Sequence, residues 1–179
     1  MVKTSGVRKE TIDRLILDAG AIYKNLEYDE TTGEFTGGTP LGATSGGNEF
    51  VSEIELRQPE IDGAKGRVKG MEFVNTHDAN IVVNLKEVTA ENIRMGIGPA
   101  DIEESDDNYD IVQPRYKIEM SDYVDNISYV GRLSGSDKPV VIMLDNALSA
   151  EGFTMTAEED NEAVIPITFY AHKDIENLD

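Results

Sequence analysis

Residues 41–93, LGATSGGNEFVSEIELRQPEIDGAKGRVKGMEFVNTHDANIVVNLKEVTAENI, decide the fold. Within 50–57, Phe50, Ile54 and Leu56 share one face, while Val51, Glu53, Glu55 and Arg57 share the other. Within 80–86, Ile81, Val83 and Leu85 oppose Asn80, Val82, Asn84 and Lys86. Two segments with a period of two predict a sheet that has one wet face. Between them runs a glycine- and cation-rich loop, Gly63-Ala64-Lys65-Gly66-Arg67-Val68-Lys69-Gly70. After them Thr89 is placed to cap a helix over 90–96, with Ile93 and Ile97 one turn apart.

Toward the amino terminus, residues 27–48 are polar and glycine-rich and predict a hairpin or mobile arm with turns. Residues 21–23 begin a strand. Residues 8–19 read as an amphipathic helix, because Ile12, Leu15, Ile16 and Ala19 fall on one face and Gly20 is a C-cap. Toward the carboxyl terminus, 115–120, 127–133, 140–144 and 164–172 read as strands divided by turn residues. Pro166 places the start of the last one at an edge or at an unpaired position. The expected architecture is mainly β: a β-sandwich with a flanking α-helix, a long loop and terminal arms. One domain is expected over 1–179, with an N-terminal arm at 1–11, the polar loop or arm at 27–48 and a C-terminal tail at 173–179.

Charge is the strongest bulk signal. Of 179 residues, 35 are acidic and 16 basic, giving a net charge of −19. Most of the imbalance lies in the second part of the chain, where residues 101–179 hold 19 acidic and 5 basic side chains, against 16 and 11 in residues 1–100. Such a surface repels phosphates and disfavours binding to nucleic acid through counterion release. There is no cysteine, which removes disulfides and thiolate chemistry. No apolar run has the length of a signal-peptide core or a membrane span, so a soluble, cytoplasmically made protein with no membrane partner is expected.

No motif carries catalysis. The two histidines, His77 and His172, are distant in sequence, and no G-x-S-x-G elbow accompanies Ser45 or Ser52. The acidic run 101–110 lacks the central glycine and closing glutamate of a calcium loop and reads as a solvated or partner-facing loop. Loop 63–70 lacks the G-K-[ST] ending of a phosphate loop and precedes a strand, not a helix. No catalytic, metal or cofactor site is expected. Three cations within five residues of so acidic a chain read either as an isolated solvated turn or as a contact with acidic surface on another copy.

The order of parts resembles the tail tube (major tail) proteins of long-tailed phages and prophages of Gram-positive bacteria. The resemblance rests on Ile16-Leu17-Asp18-Ala19-Gly20-Ala21-Ile22-Tyr23-Lys24-Asn25, on Leu41-Gly42-Ala43-Thr44-Ser45-Gly46-Gly47-Asn48 and on the loop 61–70. Val88-Thr89-Ala90-Glu91-Asn92-Ile93 and the closing 163–172 complete it. The resemblance implies a non-enzymatic virion protein, six copies to a ring, with rings stacked into a hollow tube through which DNA passes without specific binding. It implies further tail partners (tape measure, tail terminator and distal tail proteins) and no cofactor. On this reading Glu53, Glu55, Asn84 and Glu119 line the lumen, and Lys65, Arg67 and Lys69 contact a neighbouring subunit. An alternative is a β-sandwich module that binds carbohydrate or a cell surface, although the chain has no tryptophan and its tyrosines are scattered. A metal-dependent hydrolase using Asp106, Asp107 and Asp110 with His77 is a more remote alternative.

Overall fold

The computed structural model describes residues 5–63, 65–106 and 108–175, without the side chains of 104–106. Its strands are β1 (Ala21–Asp29), β2 (Glu34–Pro40), β3 (Thr44–Arg57), β4 (Phe73–Leu85), β5 (Ala100–Asp106), β6 (Tyr109–Pro114), β7 (Val124–Arg132), β8 (Pro139–Ser149), β9 (Thr156–Glu158) and β10 (Asn161–Tyr170). One α-helix, α1 (Ala90–Ile97), follows β4. The strand order is β2-β1-β7-β8-β10-β4-β3, all antiparallel, with β9 paired to β10 and with β5-β6 forming a separate hairpin. Strand β8 belongs to both layers. It pairs with β7 from Pro139 to Ala147 and with β10 only at Leu148 and Ser149.

The two layers close over one core. Ile22 from β1, Ile127 from β7 and Leu144 from β8 meet Ile81, Val83 and Leu85 from β4 and Ile165, Ile167 and Phe169 from β10. This is the expected β-sandwich, and the period of two in β4 and β10 is the reason for it. Each inward side chain of this size contributes about 1.5–3 kcal/mol when fully buried. Helix α1 packs against the core through Met95 and Gly96. A Cβ on Gly96 would stand 3.0 Å from the Phe153 ring, so a larger residue there requires that ring to shift by a few tenths of an ångström. The Thr89 side chain accepts a hydrogen bond from the Asn92 amide, as an N-cap does. The buried stripe of α1 is Asn92, Met95 and Gly96, with Ile93 and Ile97 half-buried. Asn92 replaces apolar contact with bonds from its Nδ2 to the carbonyls of Leu41 and Glu87.

Several elements depart from the sequence expectation. The helix expected over 8–19 is a single 3₁₀ turn, Ile12–Arg14. Its backbone groups are taken by the turn after β7: the amides of Ser134 and Gly135 donate to Leu15 O and Asp13 O, and Ile16 bridges Leu133. Ile12, Leu15 and Ile16 remain exposed, so the amphipathic face has no sheet to pack on.

The polar stretch 27–48, by contrast, follows the first of its two expected forms, a hairpin with turns: the end of β1 pairs with β2, and β3 starts at Thr44. β1 continues to Asp29, whose carboxylate accepts from the Thr31 and Thr32 amides and turns the chain into β2. The backbone bond from Thr31 is the main reason that this carboxyl titrates below its ordinary range.

No strand forms at 115–120. Arg115 is drawn instead into a cluster with Asp101 (2.7 Å) and the buried Asp122 (2.5 Å), and Glu119 with Asp122 forms a capping box on a 3₁₀ turn at Met120–Asp122. The acidic run 101–110, expected as a loop, carries the β5–β6 hairpin; Asp107 lies outside the described residues. Pro166 lies inside β10, opposite Asn84 of β4, five residues beyond the strand's start. On the other side β10 pairs with β9 up to Val164 and with β8 from Phe169, so Pro166 falls in the gap between them.

Candidate functional site

Strands β3 and β4 form a long hairpin that outruns the core. Their register pairs Phe50 with Ile81, Ser52 with Ala79, Ile54 with His77 and Leu56 with Val74 on the inward face. The outward face pairs Glu49 with Val82, Val51 with Asn80, Glu53 with Asp78 and Glu55 with Thr76. A bulge between Glu55 and Leu56 places one extra residue, Asn75, in β4 and lets β3 keep its alternation. At the base, two residues are extra in β3 between Thr44 and Asn48. Gly46 and Gly47, at φ +85° and +86°, supply the left-handed backbone there.

Every residue from 53 to 57 and from 73 to 78 is exposed. This outer half of the hairpin is an arm with an apolar and a polar face, both uncovered. Ile54 and Val74 on the inward face are 56% and 63% exposed, and no second layer reaches them.

The outward face is acidic. Glu53 stands directly opposite Asp78, a like-charge pair that weakens a sheet unless something else favours it. Glu55 accepts hydrogen bonds from Asn75 and Thr76. On β10 the outward Thr168 and Tyr170 both donate to Glu151, at 2.9 and 2.5 Å. The Tyr170 hydroxyl titrates above its ordinary value chiefly through that bond, with burial and the charges of Glu151 and Glu53 adding to it. Glu151 titrates below its ordinary value for the same reason, the Tyr170 bond first and Thr168 second.

Of the four residues expected on a wet strand face, Glu53 and Glu55 lie there, exposed. Asn84 is on the same face of β4 but half-buried, its Nδ2 donating to Gly47 O at 2.9 Å. Glu119 is not on a strand; it is exposed in the Arg115 cluster, 3.8 Å from that guanidinium. Asp78, Glu151 and Tyr170 join the face without having been singled out. Asp78 keeps the parity of Asn80 and Asn84, so a strand read as beginning earlier than Asn80 would have found it.

Lys65, Arg67 and Lys69 are exposed in the turn at the arm's tip. Arg67 lies 3.7 Å from Glu72, a loose exposed pair. Lys65 and Lys69 make no ion pair among the described residues.

Both histidines line one open trough of about 750 Å³ at the base of the arm, together with Phe50, Asp125 and Asp145. His77 Nε2 is 3.0 Å from Ser52 Oγ, but the next residue, Asp78, pairs with Glu53 on the opposite face. The pair therefore has no carboxylate from that neighbour to orient it as a general base. His172 Nδ1 donates to Asn146 O while Asn146 Nδ2 donates to His172 O, a reciprocal clasp of the last strand's end onto β8. Among the described residues no group of three or more histidine and acidic side chains is arranged to hold a metal ion. No helix of the described residues is long and apolar enough to cross a membrane.

The chain matches no protein-family model and no curated protein.

Proposed function

We propose that this chain is a structural subunit that self-assembles into stacked rings forming a hollow tube, the tail tube of a long-tailed phage or prophage. The β3–β4 arm carries the reading. A hairpin whose inward face is apolar and uncovered and whose outward face is acidic is poorly suited to an isolated monomer. It suits a wall element with one side packed on a neighbouring copy and the other facing an aqueous channel. Strand β3 also ends the sheet with a 14-residue edge, and an edge of that length is a pairing surface unless it is covered.

The acidic outward face fits a conduit for DNA. A cationic wall would hold phosphates with the steep salt dependence of counterion release, whereas carboxylates such as Glu53, Glu55 and Asp78 repel them and leave the duplex free to slide. Head-to-tail contact between different surfaces of identical copies yields rings or filaments according to whether the rotation closes. Negative-stain imaging of the concentrated protein tests the proposal. Rings or tubes of uniform diameter with a stain-filled centre are the expected result, and monomers at every concentration would overturn it.

A further inference from the structure

We infer that the free edge of β8 receives an extended, basic segment of a different protein, which adds beside it as a strand. This use of β8 goes beyond the tube reading and does not depend on it.

Strand β8 stands in the middle of the strand order, yet one of its sides is almost bare. Toward β7 it pairs continuously from Pro139 to Leu144. Toward β10 it pairs only at Leu148 and Ser149, and the His172 amide takes the Asp145 carbonyl at 3.3 Å. Among the described residues no backbone hydrogen bond reaches 139–144 from that second side. A free stretch of that length runs for about 20 Å. Its sequence is Pro139-Val140-Val141-Ile142-Met143-Leu144. Natural sheets blunt an edge with charges, inward-pointing lysines or bulges. This one has no charged residue, and its register with β7 is unbroken. Its one proline stands at the first strand position, where it blocks no later pairing.

There is room beside the edge. The open trough of about 750 Å³ borders β8 at Met143 and Leu144, and its far wall is the inward face of the arm's base, with Phe50, Ser52, His77 and Ala79. A strand seated there gains main-chain hydrogen bonds from β8 and apolar contact from Phe50 and Ala79.

The charges choose the occupant. The trough carries Asp125, Asp145 and Asp174 against Lys173. The end strands of the main sheet in a second copy suit it poorly. Strand β3 would bring Glu49, Glu53 and Glu55 toward these carboxylates, and β2 holds Gly37 and Gly38, which weaken a strand. A segment that alternates apolar residues with lysine or arginine matches the bare backbone, the apolar wall and the acidic rim together.

Hydrogen exchange on the full chain tests this with two end-capped hexapeptides, one alternating lysine with valine and one alternating glutamate with valine. The lysine peptide is expected to slow exchange of the amides at 140–144 that point away from β7, and the glutamate peptide to leave them unchanged. A fully backbone N-methylated lysine peptide keeps the charge but loses its donors, and it is expected to give no protection there. D125N/D145N alters only exposed side chains. It is expected to unfold at the wild-type temperature and to bind the lysine peptide about three- to tenfold more weakly. No protection at 140–144, equal protection by all three peptides, or unchanged affinity of the variant overturns the inference. Protection of the same amides on concentrating the protein without peptide assigns the edge to a second copy and overturns it as well.

Discussion

At the residue scale, buried polar groups in this chain replace missing strand partners. The ladder between β1 and β7 is formed from Ala21 to Lys24. Beyond it, Asn126 Oδ1 accepts from the Leu26 amide at 3.0 Å while its Nδ2 donates to Leu26 O at 2.9 Å, and Ser128 Oγ donates to the same Oδ1. Asn126→Ala leaves a buried amide and carbonyl unpaired, and it is expected to lower unfolding free energy by about 1–3 kcal/mol in a urea titration. Glu91 gives a pH signature. Its carboxyl is held down to about 2, first by the Arg94 hydrogen bond and then by Lys24, against partial burial. A carboxyl depressed in the folded state adds stability above its ordinary value of 4.5, and that stability is lost as pH falls from there toward about 2. Glu91→Gln is therefore expected to flatten the fall in unfolding midpoint over that interval while leaving the fold intact.

At the element scale, the same alternating pattern has two fates depending on whether a second layer covers it. Ile167 on β10 is fully buried in the core, whereas Ile54 on β3 lies on the uncovered arm. Ile167→Ala is expected to cost about 2–5 kcal/mol of monomer stability. Ile54→Ser is expected to leave thermal unfolding of the monomer nearly unchanged and to weaken self-association in sedimentation. Strands β3 and β4 are legible in the sequence because their apolar residues keep a period of two, and β7, β8 and β10 because runs rich in β-branched and apolar residues lie between turn residues. So is the Thr89 cap, whose hydroxyl stands three residues before Asn92. The helix expected at 8–19 was not legible as a turn, because distant groups on Leu133, Ser134 and Gly135 compete for its backbone. The expected strand at 115–120 failed for a similar reason: Arg115 and Glu119 are held by carboxylates that sequence spacing does not reveal. Half of the outward acidic face was legible; Asp78 and Glu151 reach it only through register and a turn.

At the scale of the whole molecule, the net charge of −19 includes a like-charge pair on the outward face, Glu53 opposite Asp78, which costs the sheet some stability. In the proposed tube, a channel that must release DNA would give that cost a purpose. Replacing Glu53, Glu55 and Asp78 together by lysine is expected to make assembled particles retain duplex DNA at low salt and release it as salt rises. Wild-type particles are expected to bind none under the same conditions in a filter-retention assay. An image reconstruction of the assembled protein decides between a tube wall and any other use of the arm. A hollow tube of stacked rings with the Glu53, Glu55 and Asp78 face lining the channel is the expected result; an assembly without a channel, or one with that face turned outward, would contradict it.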